Sequence, residues 1–216
     1  MRRLCISLCV VLLSLMVMVT PSTAGIIIYD VQVNTSAPGV PGTSGSFEFQ
    51  LSAGIPGDPL ITATITNFTT SGTLVGAPTN AGNVSGALPG TVSIDNGNVN
   101  FAVASMLQQI TYGMGFSFRL TIDTVAVDPG PPLTSLPLLA LYLYDNSLQP
   151  ILTTDIFGSV LTWETDADRN PIVSTFPANA LGAPSVITIS DVPEPAAVSF
   201  VLVGMAMILA RKRFLP

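Results

Sequence analysis

The chain has 216 residues, 48% hydrophobic and 9% charged, with a mean hydropathy of +0.60; it is too apolar for an ordinary soluble protein and too polar in its middle for a multispan one. The apolar excess lies in two uncharged runs, Leu4 to Val19 and Pro195 to Ala210. With the terminal charges set aside, the middle keeps Arg119 and Arg169 against twelve acids, a balance of −10 that repels a phosphate backbone and excludes nucleic acid as a partner.

From the N-terminus, Met1-Arg2-Arg3 is a short basic segment, Leu4 to Val19 an apolar core, and Pro21-Ser22-Thr23-Ala24 supplies small residues of the kind a signal peptidase reads. Residues 1–24 are expected to form a secretory signal peptide cut after Ala24, with Ser22 and Ala24 as the small pair; the alternative is an uncleaved anchor. Neither Cys5 nor Cys9 follows a lipobox, and both would leave with the signal.

Residues 25–191 alternate with period two. Phe47, Phe49 and Leu51 interleave with Ser46, Glu48 and Gln50, and Ile61, Ala63 and Ile65 with Thr62, Thr64 and Thr66, which predicts half-buried strands. Further β-branched or aromatic runs predict strands at Ile26 to Val33, Thr91 to Ile94, Val99 to Val103, Gly115 to Thr124, Leu138 to Tyr144, Val160 to Thr165 and Ser185 to Ser190. Phe101 to Ile110 carries the spacing of a helical turn. Turn residues at Pro38-Gly39, Pro56-Gly57, Asp95-Asn96-Gly97 and Asp145-Asn146 read as hairpins and crossovers. The expected fold is all-β, a two-sheet antiparallel sandwich of jelly-roll type.

The side chains missing from this middle narrow its chemistry. It has no His, no Cys and no Lys, so it lacks the base of a serine or cysteine hydrolase, the soft ligands of a zinc or iron site and the lysine of a Walker-type loop. No disulfide can staple it, and its stability must come from a core. Carboxylate chemistry and oxygen-liganded cations remain, and the domain is expected not to be an enzyme. Asp166, Asp168 and Asn170 have the alternating oxygens that open a calcium loop, but Pro171 and Pro177 stand where an EF-hand needs Gly and Glu, so a solvated turn competes with a calcium site. Asp95-Asn96-Gly97-Asn98 reads first as a type I′ hairpin turn. A hydrolase would need two facing carboxylates, and no spacing pairs Glu48 or Glu164 with another acid. Tyr142, Tyr144 and Trp163 are the aromatics a sugar site could use. Against that, Leu139, Leu141 and Leu143 opposite the tyrosines predict a central strand buried on both faces, with the tyrosine hydroxyls reaching an edge or turn.

At the other end Val192-Pro193-Glu194-Pro195 leads into the apolar stretch Ala196 to Ala210, then Arg211-Lys212-Arg213. A helix of this length rises about 22 Å against a hydrocarbon core of roughly 30 Å, short but crossable with arginine snorkelling. The basic stop should stay cytoplasmic, which leaves the middle outside.

The order of Pro193-Glu194-Pro195, apolar helix with Gly204, and Arg211-Lys212-Arg213 resembles the PEP-CTERM sorting signal of Gram-negative envelope proteins. The resemblance implies recognition at Pro193, Glu194 and Pro195 by exosortase, an integral-membrane cysteine protease-transpeptidase; an ordinary tail anchor is the alternative. Exterior domains of that family look like sandwiches of this size, with openings similar to Val33-Asn34-Thr35-Ser36 followed by Gly45-Ser46-Phe47-Glu48-Phe49. The family's association with exopolysaccharide and biofilm implies a structural or adhesive role at the cell surface or in the matrix. A carbohydrate- or calcium-binding module, and then a carboxylate hydrolase, are the competing expectations.

Overall fold

The structure, a computed structural model, describes residues 26–52, 60–97, 103–124, 138–165, 171–179 and 183–192. Twelve strands lie among them: β1 (Ile26–Asn34), β2 (Ser44–Ser52), β3 (Ile61–Thr70), β4 (Thr73–Ala81), β5 (Asn83–Gly86), β6 (Val92–Asp95), β7 (Val103–Thr111), β8 (Gly115–Thr124), β9 (Leu139–Asp145), β10 (Ser159–Thr165), β11 (Pro171–Thr175) and β12 (Ile187–Asp191). They form two six-stranded sheets, ordered β12-β1-β8-β3-β6-β5 and β11-β10-β9-β2-β7-β4. All pairings are antiparallel. The expected all-β class and two-sheet antiparallel arrangement are therefore found. The expected signal and C-terminal helices lie outside the described residues, among which no helix is long and apolar enough to cross a membrane.

Alternation builds the core from both sheets. Val31 and Val33 of β1, Ile61, Ala63 and Ile65 of β3, and Phe116, Phe118, Leu120 and Ile122 of β8 face Phe47, Phe49 and Leu51 of β2 and Leu139, Leu141 and Leu143 of β9, all buried. Between the sheets, Phe47 stacks on Phe116 at 5.0 Å and on Phe68 at 5.6 Å, and Phe49 meets Phe118 edge-on at 5.1 Å. Offset and edge-on pairs of this kind add to burial. Phe68 reaches the core through an irregularity: the β3–β8 register shifts between Thr66 and Thr69, and Asn67 takes φ +54°, which reverses the inside-outside parity.

Three expectations need correction. Phe101 to Ile110 holds no helical turn where described, because Val103 to Thr111 is strand β7. Ala104, Met106, Gln108 and Ile110 all point inward, and the polar Gln108 interrupts what would otherwise be a readable alternation. Its buried amide donates to the carbonyls of Val75 at 3.1 Å and Gly76 at 3.4 Å, filling the irregularity in β4 between Val75 and Thr79. Asp95-Asn96-Gly97 is not a type I′ hairpin: neither Asn96 nor Gly97 takes a positive φ, and β6 and β7 lie in different sheets. Asp95 Oδ1 instead accepts from the Gly97 amide, and Asn96 Oδ1 accepts from the Ile61 amide at 2.7 Å, closing the β3–β6 edge. Third, β9 is central, but its outer face is fully buried only at Ala140. The leucines are inside, whereas Tyr142 and Tyr144 are half-buried on the outer face.

The registers define two ends of the sandwich. Asn34 lies opposite Gly115, Gly45 opposite both Ile110 and Asp145, and Thr70 opposite Phe116, so these residues share one end. Ile26 opposite Asp123 and Ile61 opposite Thr124 mark the other. β12 runs toward this second end, where the Val192 amide donates to the Ile28 carbonyl at 2.9 Å. Ile28 and Val192 are thus neighbours at this end.

Candidate functional site

The outer face of the second sheet brings two tyrosines and a carboxylate together. Register places Tyr144 beside Ser46 and Gln109 in one row, and Tyr142 beside Glu48 and Leu107 in the next. As residues two apart on one strand, the tyrosines project to the same side, with ring centroids 5.9 Å apart and planes 3° from parallel. The Tyr144 hydroxyl donates to Glu48 Oε2 at 3.3 Å, reaching a neighbouring strand and not an edge or turn. Partial burial pushes both phenols above their ordinary range. The Glu48 charge adds to that in each, and for Tyr144 so does the hydrogen bond to Glu48.

The sign of this shift makes a prediction. A phenol that holds its proton more tightly when folded contributes stability that is present below the unfolded tyrosine range and is lost as pH rises from there through the raised value. In Glu48→Gln the Tyr144 phenolate, followed by ultraviolet absorbance during alkaline titration, should appear earlier than in the wild type but still later than in a free tyrosine, because burial is the larger cause. Identical titrations in the two proteins would refute the Glu48 contribution.

Two features flank the tyrosines. On one side, the β9–β10 connection returns along β9, with the Ile151 amide donating to the Leu143 carbonyl at 2.9 Å; it then departs and rejoins at Ser159, opposite Tyr142. The excursion is internally braced. Asp155 Oδ2 accepts from the Ser159 amide and hydroxyl, Thr153 Oγ1 donates to the Ser159 carbonyl and accepts from the Asp155 amide, and Gly158, at φ +89°, closes a turn on the Asp155 carbonyl. The turn presents Ile156 and Phe157 to solvent, 89% and 78% exposed. On the other side is a cleft of about 350 Å³ with apolar walls from Val75, Leu107 and Leu148 and polar groups from Gln109 and Asp145. A wider, shallower groove of about 620 Å³ runs over the first sheet past Gln32, Thr69, Ser117 and Thr188.

Trp163 is not available as a sugar platform. It is 1% exposed, with its indole nitrogen buried. Ser22, Ala24, Asp166, Asp168, Asn170, Pro193, Glu194, Pro195, Arg211, Lys212 and Arg213 all lie outside the described residues. Among the described residues no group of three or more acids is placed to hold a metal ion. Sequence reasoning named the tyrosines but missed the exposed Ile156-Phe157 turn. The signal available was an apolar pair set between Asp155 and Gly158. No protein-family model matches the chain, and neither a curated protein nor a solved structure does.

Proposed function

We propose that the chain is exported by the general secretory route after signal-peptidase cleavage, held in the membrane by a C-terminal helix, and processed by an exosortase. The sandwich then serves as a structural or adhesive component of the cell surface or extracellular matrix. The observation that carries this reading is the order of Pro193-Glu194-Pro195, the apolar stretch Ala196 to Ala210 and the Arg211-Lys212-Arg213 stop, set opposite an N-terminal export segment. The fold supports it in two ways. Ile28 and Val192 are neighbours at one end, which suits insertion of the two apolar segments into one membrane. Backbone pairing of β12 also ends with Val192, so a chain cut just beyond that residue keeps the strand.

A jelly-roll reading of the sandwich is supported by the run β1-β8-β3-β6 in one sheet and β2-β7-β4 in the other. The acidic balance favours solubility of such an apolar-rich domain in the matrix, with exopolysaccharide as the neighbouring polymer. A sugar- or calcium-binding module is the second reading, favoured by the half-exposed Tyr142 and Tyr144 beside Glu48.

Intact mass of the protein recovered from native envelope and culture medium tests the sorting step. The wild-type mass should end near Val192, and a variant carrying Pro193→Ala, Glu194→Ala and Pro195→Ala should keep its tail. A wild-type mass that still includes Arg211-Lys212-Arg213 would sink the processing step and leave a membrane-tethered domain.

A further inference from the structure

We propose that the cleft beside Val75 binds an amine-bearing sugar unit of a polysaccharide, with Tyr142 and Tyr144 holding the next unit of the same polymer. This deepens the sugar-binding reading above, rests on it and names the class of sugar. Register sets Ser46 between Gln109 and Tyr144, and Glu48 between Leu107 and Tyr142, so cleft and tyrosines share one continuous outer face. Ser46 lines the cleft, is only 3% exposed, and its buried hydroxyl has no hydrogen-bond partner among the described residues. An unpaired buried hydroxyl is unfavourable, and a ligand hydroxyl that reaches it removes the penalty.

The ligand class follows from the lining and its charge. A sugar ring has apolar C–H faces and a rim of hydroxyls. Val75, Leu107 and Leu148 suit the faces, and the Ser46 hydroxyl, the amides of Gln109 and Asn146 and the Asp145 carboxylate suit the rim. Asp145 Oδ1 accepts from the Ser147 and Gln149 amides at 2.8 and 2.9 Å, which fixes the carboxylate and leaves Oδ2 without a protein partner among the described residues. Glu48 stands at the tyrosines, and so does Asp155: a Cβ at Gly158 of its turn would lie 3.9 Å from Cδ1 of Tyr142, and the Asp155 charge adds to the upward push on the Tyr142 phenol. No base offsets these acids, since the only one among the described residues, Arg119, pairs with Asp30 on the first sheet at 2.8 Å. The face therefore repels anionic sugars and attracts an ammonium group, which a carboxylate binds by a charge-assisted hydrogen bond and a tyrosine ring by cation–π attraction. The buried hydroxyl and the two amides favour a ligand rich in hydroxyls over a basic peptide of the same charge.

The test uses the protein as recovered from native membranes, titrated calorimetrically with a glucosamine hexamer, its fully N-acetylated counterpart and hexalysine, with tyrosine difference absorbance read in parallel. The glucosamine hexamer should bind at least about tenfold more tightly than either of the others, perturb the tyrosine absorbance, and weaken as salt is added. Asp145→Asn keeps the Oδ1 acceptor of the turn but removes the charge, and should raise the dissociation constant by about tenfold or more. Ser46→Ala removes an unpaired buried hydroxyl, so it should fold at least as well as the wild type by urea unfolding and yet bind more weakly. Ser117→Ala, on the outer face of the first sheet, should bind as the wild type does. No binding of the glucosamine hexamer, equal or tighter binding of hexalysine, or an unchanged constant in both Asp145→Asn and Ser46→Ala would overturn the proposal. Equal binding of the acetylated hexamer would overturn the amine while keeping the sugar reading. Binding is measured whether or not the chain has been cut near Val192, so a failure of sorting and a failure of this site are separately visible.

Discussion

Phe47→Ala is expected to remove about 3–5 kcal/mol of folding stability, the range for truncating a fully buried aromatic residue. Phe47 has no exposed surface and sits at a junction of the two sheets, with its ring in contact with those of Phe49 on its own strand and Phe68 and Phe116 across the gap. Its loss therefore leaves a void that neither sheet closes alone, since the three remaining rings are held by β2, β3 and β8. A domain of this size has about 5–15 kcal/mol in total, and no disulfide is available to limit the damage. Urea unfolding followed by the fluorescence of Trp163, the only tryptophan and itself buried, should show the midpoint falling sharply with little change in slope. A loss below about 1 kcal/mol would mean that the sheets repack and that the aromatic layer is not what joins them.

Gly45→Ala comes second, with an expected loss of about 3 kcal/mol from a single added methyl group. A Cβ at this position would lie 2.3 Å from the Tyr144 carbonyl oxygen and 2.5 Å from Cε2 of Tyr112. The first neighbour is backbone in a paired strand and cannot retreat without breaking the β2–β9 register. The second is the ring of a buried tyrosine whose hydroxyl donates to the Ser46 carbonyl at 2.5 Å and the Tyr144 carbonyl at 3.1 Å. Moving that ring leaves buried carbonyls short of a donor, so overpacking and lost hydrogen bonding add. Tyr112→Phe, which removes only the hydroxyl, should cost about 1–2 kcal/mol. The same unfolding measurement compares the two variants, and the account fails if Gly45→Ala costs no more than Tyr112→Phe.

Much of this fold was legible because its central strands are buried on one face. β8 was predicted with its observed limits, Gly115 to Thr124, since Phe116, Phe118, Leu120 and Ile122 alternate without interruption. β7 was obscured by one buried glutamine, which is satisfied by carbonyls of a strand some thirty residues away in sequence. β4, β5 and β11 were not predicted. β4 carries Gly76 and Pro78 through its irregular stretch, β5 is short, β11 opens on Pro171, and each is an edge strand. Edges tolerate such residues because one side of the ladder is unpaired, and there local pattern weakens as a guide. At the candidate site, Tyr142, Tyr144 and Glu48 could be named from strand parity, while the exposed Ile156-Phe157 turn and the cleft beside Val75 could not.

The sequence by itself determined the charge, the chemistry its missing side chains exclude, the two apolar end runs and the period-two pattern that requires an all-β fold. These are properties of composition and near-neighbour spacing. Only the tertiary structure decided how strands distant in sequence become neighbours: β1 with β8 and β12, β2 with β7 and β9, and β4 passing to β5 at Gly82, with φ +70°, as the chain moves from one sheet to the other. It also decided that Trp163 is buried while Phe157 stands in solvent. Burial depends on which surfaces meet, and in a sandwich those surfaces are brought together by pairings between residues far apart along the chain.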